Sequence, residues 1–183
     1  AFRWLLLASA LMSASHAFYY AFGTLHWQAA GLSAGVIGAL WATGVLAEIA
    51  LFLWGRGVVA RLGPIRLTLI AAAGGAIRWG ATAFTADPAL LFPLQVLHAA
   101  TFGAQHLATM TILARVVPPE TAGTAQTVHA SLGPGLATGV VTLLCGPLYA
   151  SVGGLGFLAM AALCAAAVPA SLALGTALAR RHQ

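Results

Sequence analysis

The sequence predicts an all-α polytopic membrane protein with six transmembrane helices, and three observations predict it: composition, segment length and the placement of charge. The 183 residues are 61% hydrophobic and 6% charged, with a mean hydropathy of +0.94, whereas soluble domains carry about a quarter charged residues. Six apolar stretches, at roughly 4–26, 34–55, 66–85, 89–113, 125–149 and 154–178, each approach the about 20 residues that span a bilayer as a helix. Seven of the eight basic residues then fall on one side of these stretches. Arg3 precedes the first, Arg56, Arg61 and Arg66 separate the second from the third, Arg115 follows the fourth, and Arg180 and Arg181 follow the sixth. Because Lys and Arg are retained on the cytoplasmic side, this alternation orients the spans with both termini inside. The formal charge of +5 is spread over membrane-edge connections, which suits a lipid bilayer with anionic headgroups and excludes the dense basic face of a nucleic-acid binder.

The first segment is too long, and too polar on one face, for a signal peptide. Its Ser9, Ser13, His16, Tyr20 and Trp27 recur at spacings of three, four and seven, so one helical stripe faces protein or water. Ala30-Gly31-Leu32-Ser33 ends it, and Gly31-Leu32-Ser33-Ala34-Gly35 matches GxSxG. A nucleophile elbow needs a strand before the Ser and a helix after it, so Ser33 reads as the cap of the second helix. An intramembrane serine protease is the enzyme alternative, and the membrane-edge position of Ser33 argues against it.

The second segment carries Glu48 and the third carries Arg78, each costing roughly 2.5–3.5 kcal/mol at the centre of a lone span. Consecutive spans run antiparallel, so the two side chains reach workable depths for an ion pair. That pair reads either as structural or as the lining of a substrate or proton pathway. Asp87-Pro88 opens the fourth segment, whose Gln95, His98, Thr101, Gln105 and Thr109 form a second polar stripe. On an ideal helix His98 and Gln105, seven apart, nearly superpose. His98 reads as a proton relay or anion donor, or as a neutral interhelical hydrogen-bonding group. His106 points about 80° from His98, so the two make poor co-ligands. No metal or cofactor is expected.

Val117-Pro118-Pro119-Glu120 leads into the fifth segment, where Gly133, Gly135, Gly139 and Gly146 allow close helix approach, Gly135 and Gly139 forming a GxxxG, and Pro134 and Pro147 predict bends. Gly153-Gly154 separates the sixth. Cys145 and Cys164 lie in apolar segments without nearby metal-ligand partners and read as small packing residues. Tyr19, Trp27 and Trp79 read as interface anchors or as packing.

Several blocks occur in order: Ser15-His16-Ala17-Phe18-Tyr19-Tyr20, Gly44-Val45-Leu46-Ala47-Glu48, Ile77-Arg78-Trp79-Gly80 and Leu97-His98-Ala99-Ala100-Thr101. Through them the whole chain resembles the C-terminal six-helix half of a major facilitator superfamily transporter, in the phenylpropionate permease branch related to lactose permease. The resemblance implies one half of a major facilitator fold in a bacterial inner membrane, taking up a small organic substrate with protons by alternating access. Arg78 and His98 match the Arg and His of lactose permease, and Glu48 lies about one turn from its acidic counterpart. Thr101 stands where an acidic residue is expected.

By the same resemblance Arg78 and His98 bind a carboxylate, Glu48 couples it to protons, and Phe18, Tyr19, Tyr20 and Trp41 lie near. The segment 55–66 looks like the superfamily's gating loop, with Arg56, Arg61, Gly63 and Arg66, and with Ala60 in place of Asp. A sugar or nucleoside:proton symporter is the alternative substrate reading, and a non-transporting scaffold or sensor is the alternative of another class. The chain begins with Ala and holds half of a twelve-helix pattern, so a fragment lacking its N-terminal six-helix half is expected, with a homodimer of six-helix units as the other arrangement.

Overall fold

In lipid an apolar chain satisfies its backbone groups most simply as helix, and the computed structural model, which describes residues 1–180, is helical from end to end. Ten α-helices are present among the described residues: α1 (Phe2–Ala14), α2 (Ala17–Ala29), α3 (Ala34–Leu53), α4 (Gly55–Leu62), α5 (Pro64–Thr82), α6 (Pro88–Val96), α7 (Gln105–Val116), α8 (Ala122–Ala130), α9 (Leu136–Val152) and α10 (Phe157–Ala179). π-helical turns join α6 to α7 at Ala99–Ala104 and α8 to α9 at Ser131–Gly135. Arg181, assigned from the sequence to the basic side, lies outside the described residues.

All six predicted segments are helical, and length and apolarity alone pick out three or four stretches. Three continuous stretches among the described residues are long and apolar enough to cross a membrane: Phe2–Ala29, Ala34–Leu53 and Pro119–Ala179. A fourth arises if α4 and α5, bent by 102°, count as one span. The helices from Pro88 to Val116 carry Gln95, His98, Gln105 and His106, whose polarity lowers their hydropathy.

Local chemistry explains most boundaries. Between α1 and α2, Ser15 Oγ donates to the Met12 carbonyl at 2.7 Å and His16 Nδ1 meets the same oxygen at 2.9 Å, so side chains compete with the helical ladder at that break. Ser33 caps α3, accepting from the Val36 amide at 3.4 Å. Asp87 caps α6, accepting from the Ala89 amide at 2.9 Å, with Pro88 at the first helical position.

One predicted loop is a helix. Residues 55–62 of the expected gating loop form α4, because turn chemistry is confined to Gly63, at φ +73, and Pro64. Val58 and Val59 of α4 pack on Leu67, Ala104 and Ala108. Arg56, Arg61 and Arg66 are exposed.

The main core gathers Met12, Phe18, Tyr19, Trp27, Trp79, Phe157 and Cys164. Trp27 and Trp79 are fully buried, so both pack inside the bundle and neither acts as an interface anchor. Cys145 and Cys164 are buried free thiols, as expected of packing residues. Of the four predicted glycines, close helix approach falls on Gly133, which faces Leu6 and Ser9, whereas a Cβ at Gly139 or Gly146 meets open space and one at Gly135 meets only the Ala130 backbone. GxxxG spacing marks a smooth face but does not say what lies opposite it.

Gly75 on α5 is the tightest such contact with α10, since an added Cβ collides with Cys164. Gly75→Ala is therefore expected to destabilise the bundle by about 1–3 kcal/mol. Thermal unfolding in detergent checks this: Gly75→Ala melts several degrees below wild type, while Gly139→Ala does not.

Candidate functional site

Arg78, in the last turns of α5, is fully buried and has no carboxylate within salt-bridge distance among the described residues. An arginine has only donors to place. Its Nη2 donates to Gln95 Oε1 at 2.8 Å, and its Nη1 donates to Thr101 Oγ1 and His98 Nδ1, each at 3.1 Å. The guanidinium also lies 4.2 Å from the Trp79 ring centre and 4.8 Å from that of Tyr19, a cation–π seat that partly offsets lost hydration. Tyr19 OH donates to the same Gln95 Oε1 at 2.9 Å.

The expected direct pair between Glu48 and Arg78 is not formed. His98 stands between them, with Nε2 at 3.4 Å from Glu48 Oε2. Because Arg78 donates to Nδ1, that nitrogen is unprotonated and Nε2 carries the ring proton that faces Glu48. Glu48, His98 and Arg78 thus form one directional chain across α3, α5 and the fourth predicted segment. Gly44 packs directly against it, a Cβ there sitting at 3.4 Å from His98 Cβ, in ordinary van der Waals contact.

A second branch leaves Arg78 through Thr101. The Met12 carbonyl only accepts, so His16 Nδ1 is its donor and His16 Nε2 accepts from the Thr101 hydroxyl at 3.1 Å. Trp79 Nε1 donates to Ser15 Oγ at 3.3 Å and braces the same helix break.

Of the residues predicted for the site, Glu48, Arg78, His98, His16, Gln95 and Thr101 come together. Gln105 lines a cavity together with His16 and Thr101, and its Nε2 donates to Thr109 at 3.3 Å. The π turn at Ala99–Ala104 inserts a residue, rotating the helix beyond it by about 100° from the α-helical register. Tyr20 is 48% exposed and lies beside the cluster, stacking on His16 at 5.9 Å and on Trp41 at 6.1 Å, while Tyr19 lies inside it. Trp41 lies against Tyr19 at 4.3 Å and donates to Thr24. Phe18 packs on Phe157 and Tyr149, away from Arg78. His106 lies against Phe52, apart from His98. The gating-loop Arg56, Arg61 and Arg66 form no ion pair among the described residues, and Gly63 supplies the bend.

The sequence did not single out Ser15, Gly44 or the hydrogen bond between Ser9 and His129, 2.6 Å long, which ties α1 to α8. A Ser beside a His at a helix break was the only signal for Ser15.

A helical, lipid-suited chain with a buried cationic network joined to a carboxylate through one imidazole has the make-up of a polytopic membrane protein that handles charge within the bilayer. Residues 1–159 match the MFS_1 like family, and the chain belongs to that family within the major facilitator superfamily. It is 35% identical over 152 residues to the probable 3-phenylpropionic acid transporter of Escherichia coli strain K12, an alignment covering 82% of this chain and 40% of that protein. The chain therefore spans less than half the length of this relative. No solved structure matches the chain.

Proposed function

We propose that the chain is the six-span, C-terminal-type half of an inner-membrane transporter that takes up a small aromatic carboxylate with protons by alternating access, both termini lying on the cytoplasmic side. Two features support six spans. The stretch Pro119–Ala179 has 61 residues, about 90 Å of helix against a core of about 30 Å, and Gly153 at φ +56 turns it. The exposed apolar residues Leu46, Leu53, Leu143 and Leu144 suit lipid or an N-terminal half.

The observation that carries the substrate reading is Arg78 itself. Its hydrogen-bond partners, Gln95, Thr101 and His98, are all uncharged as placed, and its buried Nε has no hydrogen-bond partner among the described residues. A cation buried without a touching anion, with a donor to spare, favours a carboxylate ligand. The relative's name points to the same chemistry, an arylpropionate.

Charge balance supplies the coupling. With Glu48 ionised, Glu48 and Arg78 sum to zero. A bound carboxylate makes the cluster negative, and one proton on the Glu48–His98 pair restores neutrality, which a low-dielectric interior favours. Substrate and proton thus assist one another's binding. Vesicles containing the chain together with its N-terminal half are expected to accumulate 3-phenylpropionate, not lactose, and to lose accumulation when a protonophore dissipates the gradient. Lactose accumulation, or acid accumulation untouched by the protonophore, contradicts the reading.

A further inference from the structure

A cavity of about 210 Å³ opens between α1, α7 and the α8–α9 junction. His16 and Thr101 form one wall, and Met12, Phe102, Met110 and Pro134 form the sides. The hydrogen bond from His129 to Ser9 links two residues of its lining across α1 and α8. Most of the surface lining it is carbon. The charge lies behind the wall, because Thr101 accepts from Arg78 and donates to His16.

We infer that this cavity, rather than the Tyr20–Trp41 face, holds the ring of a single-ring carboxylate whose acid end meets Arg78 at Thr101. The inference rests on the carboxylate reading above and adds where the ring goes and how large it is. An apolar cavity of about 150 Å³ takes benzene, so this one has room for a benzene ring with a short side chain, whereas a second fused ring has to displace the Met12 or Met110 side chain. Ligand sites of this kind are mainly apolar, with a few polar groups fixing orientation. Met12 and Met110, flexible and polarisable, are the size-determining side chains. They lie on different helices, so each tests the assignment independently of the other.

The test is uptake of 3-phenylpropionate against 3-(2-naphthyl)propionate by the complete transporter in vesicles, with membrane content measured for each variant. Wild type is expected to favour the phenyl acid about tenfold or more. Met110→Ala and Met12→Ala each enlarge the cavity and are expected to cut that preference about fivefold or more by admitting the naphthyl acid. If Met110→Ala fails to insert, Met12→Ala carries the test. An unchanged preference in the inserted Met variants overturns the assignment, as does a loss of preference in Trp41→Leu alone, which places the ring beside Tyr20. Uptake of neither acid by wild type overturns the carboxylate reading and this inference with it. Uptake of both acids with unchanged selectivity overturns only the inference.

Discussion

Arg78→Leu is expected to abolish uptake, and Arg78→Lys to reduce it about a hundredfold while the protein still inserts. The Lys variant is the informative one. It keeps the charge but replaces a planar fork with a single ammonium, which cannot reach Gln95, Thr101 and His98 together at 2.8–3.1 Å. Losing two charge-assisted hydrogen bonds at about 1.5 kcal/mol each is worth roughly two decades. Arg78→Leu also strands the acceptors on Gln95 and His98, so its folded population is expected to fall as well. Initial uptake rates normalised to membrane content check both variants. Wild-type flux in Arg78→Lys removes the guanidinium from the mechanism.

Glu48→Gln is expected to split the activity. With a neutral side chain at position 48 the cluster keeps the full Arg78 charge, so an anion binds without a proton. Exchange of labelled for unlabelled substrate, which needs no net proton movement, then continues at a rate near that of wild type. Accumulation against a gradient falls about tenfold or more, because the group that balances the substrate's charge with a proton is gone. Paired exchange and accumulation assays read this directly. Equal loss of both means that Glu48 acts on binding or folding, and equal retention means that it carries no coupling proton.

Periodicity and energetic cost are what make this site legible in the sequence. Buried charges are so expensive in a span that Glu48 and Arg78 stand out without any structure, and the stripe through Gln95, His98 and Thr101 names their neighbours. His98 as the bridge was not legible, because sequence gives depth along a helix but not which polar group lies between two charges.

The misses share a physical cause. A 3.6-residue pattern holds only while the helix is regular, and this chain breaks regularity at functional places. The break at Ser15 and His16 turns α2 so that Tyr19 points inward against Arg78 while Tyr20 stacks on His16 from the exposed side. The π turn at Ala99–Ala104 shifts the register beyond it, and Gln105 faces the cavity beside His16 and Thr101. Likewise α4 escaped notice because Gly55, Gly57 and three Arg residues read as a loop, although the only strong turn signal in that stretch is Gly63-Pro64. Of the glycines that pack, Gly133 belongs to the small-residue run of the fifth segment, whereas Gly75 carries no distinguishing spacing. The side chains opposite each of them decide their role.

If substrate and proton bind one cluster together, adding substrate moves protons. Lightly buffered cells containing the complete transporter would receive 3-phenylpropionate while a pH electrode tracks the medium. A transient alkalinisation is expected, which a protonophore removes and which Glu48→Gln lacks. Uptake of the acid with no alkalinisation would contradict joint binding.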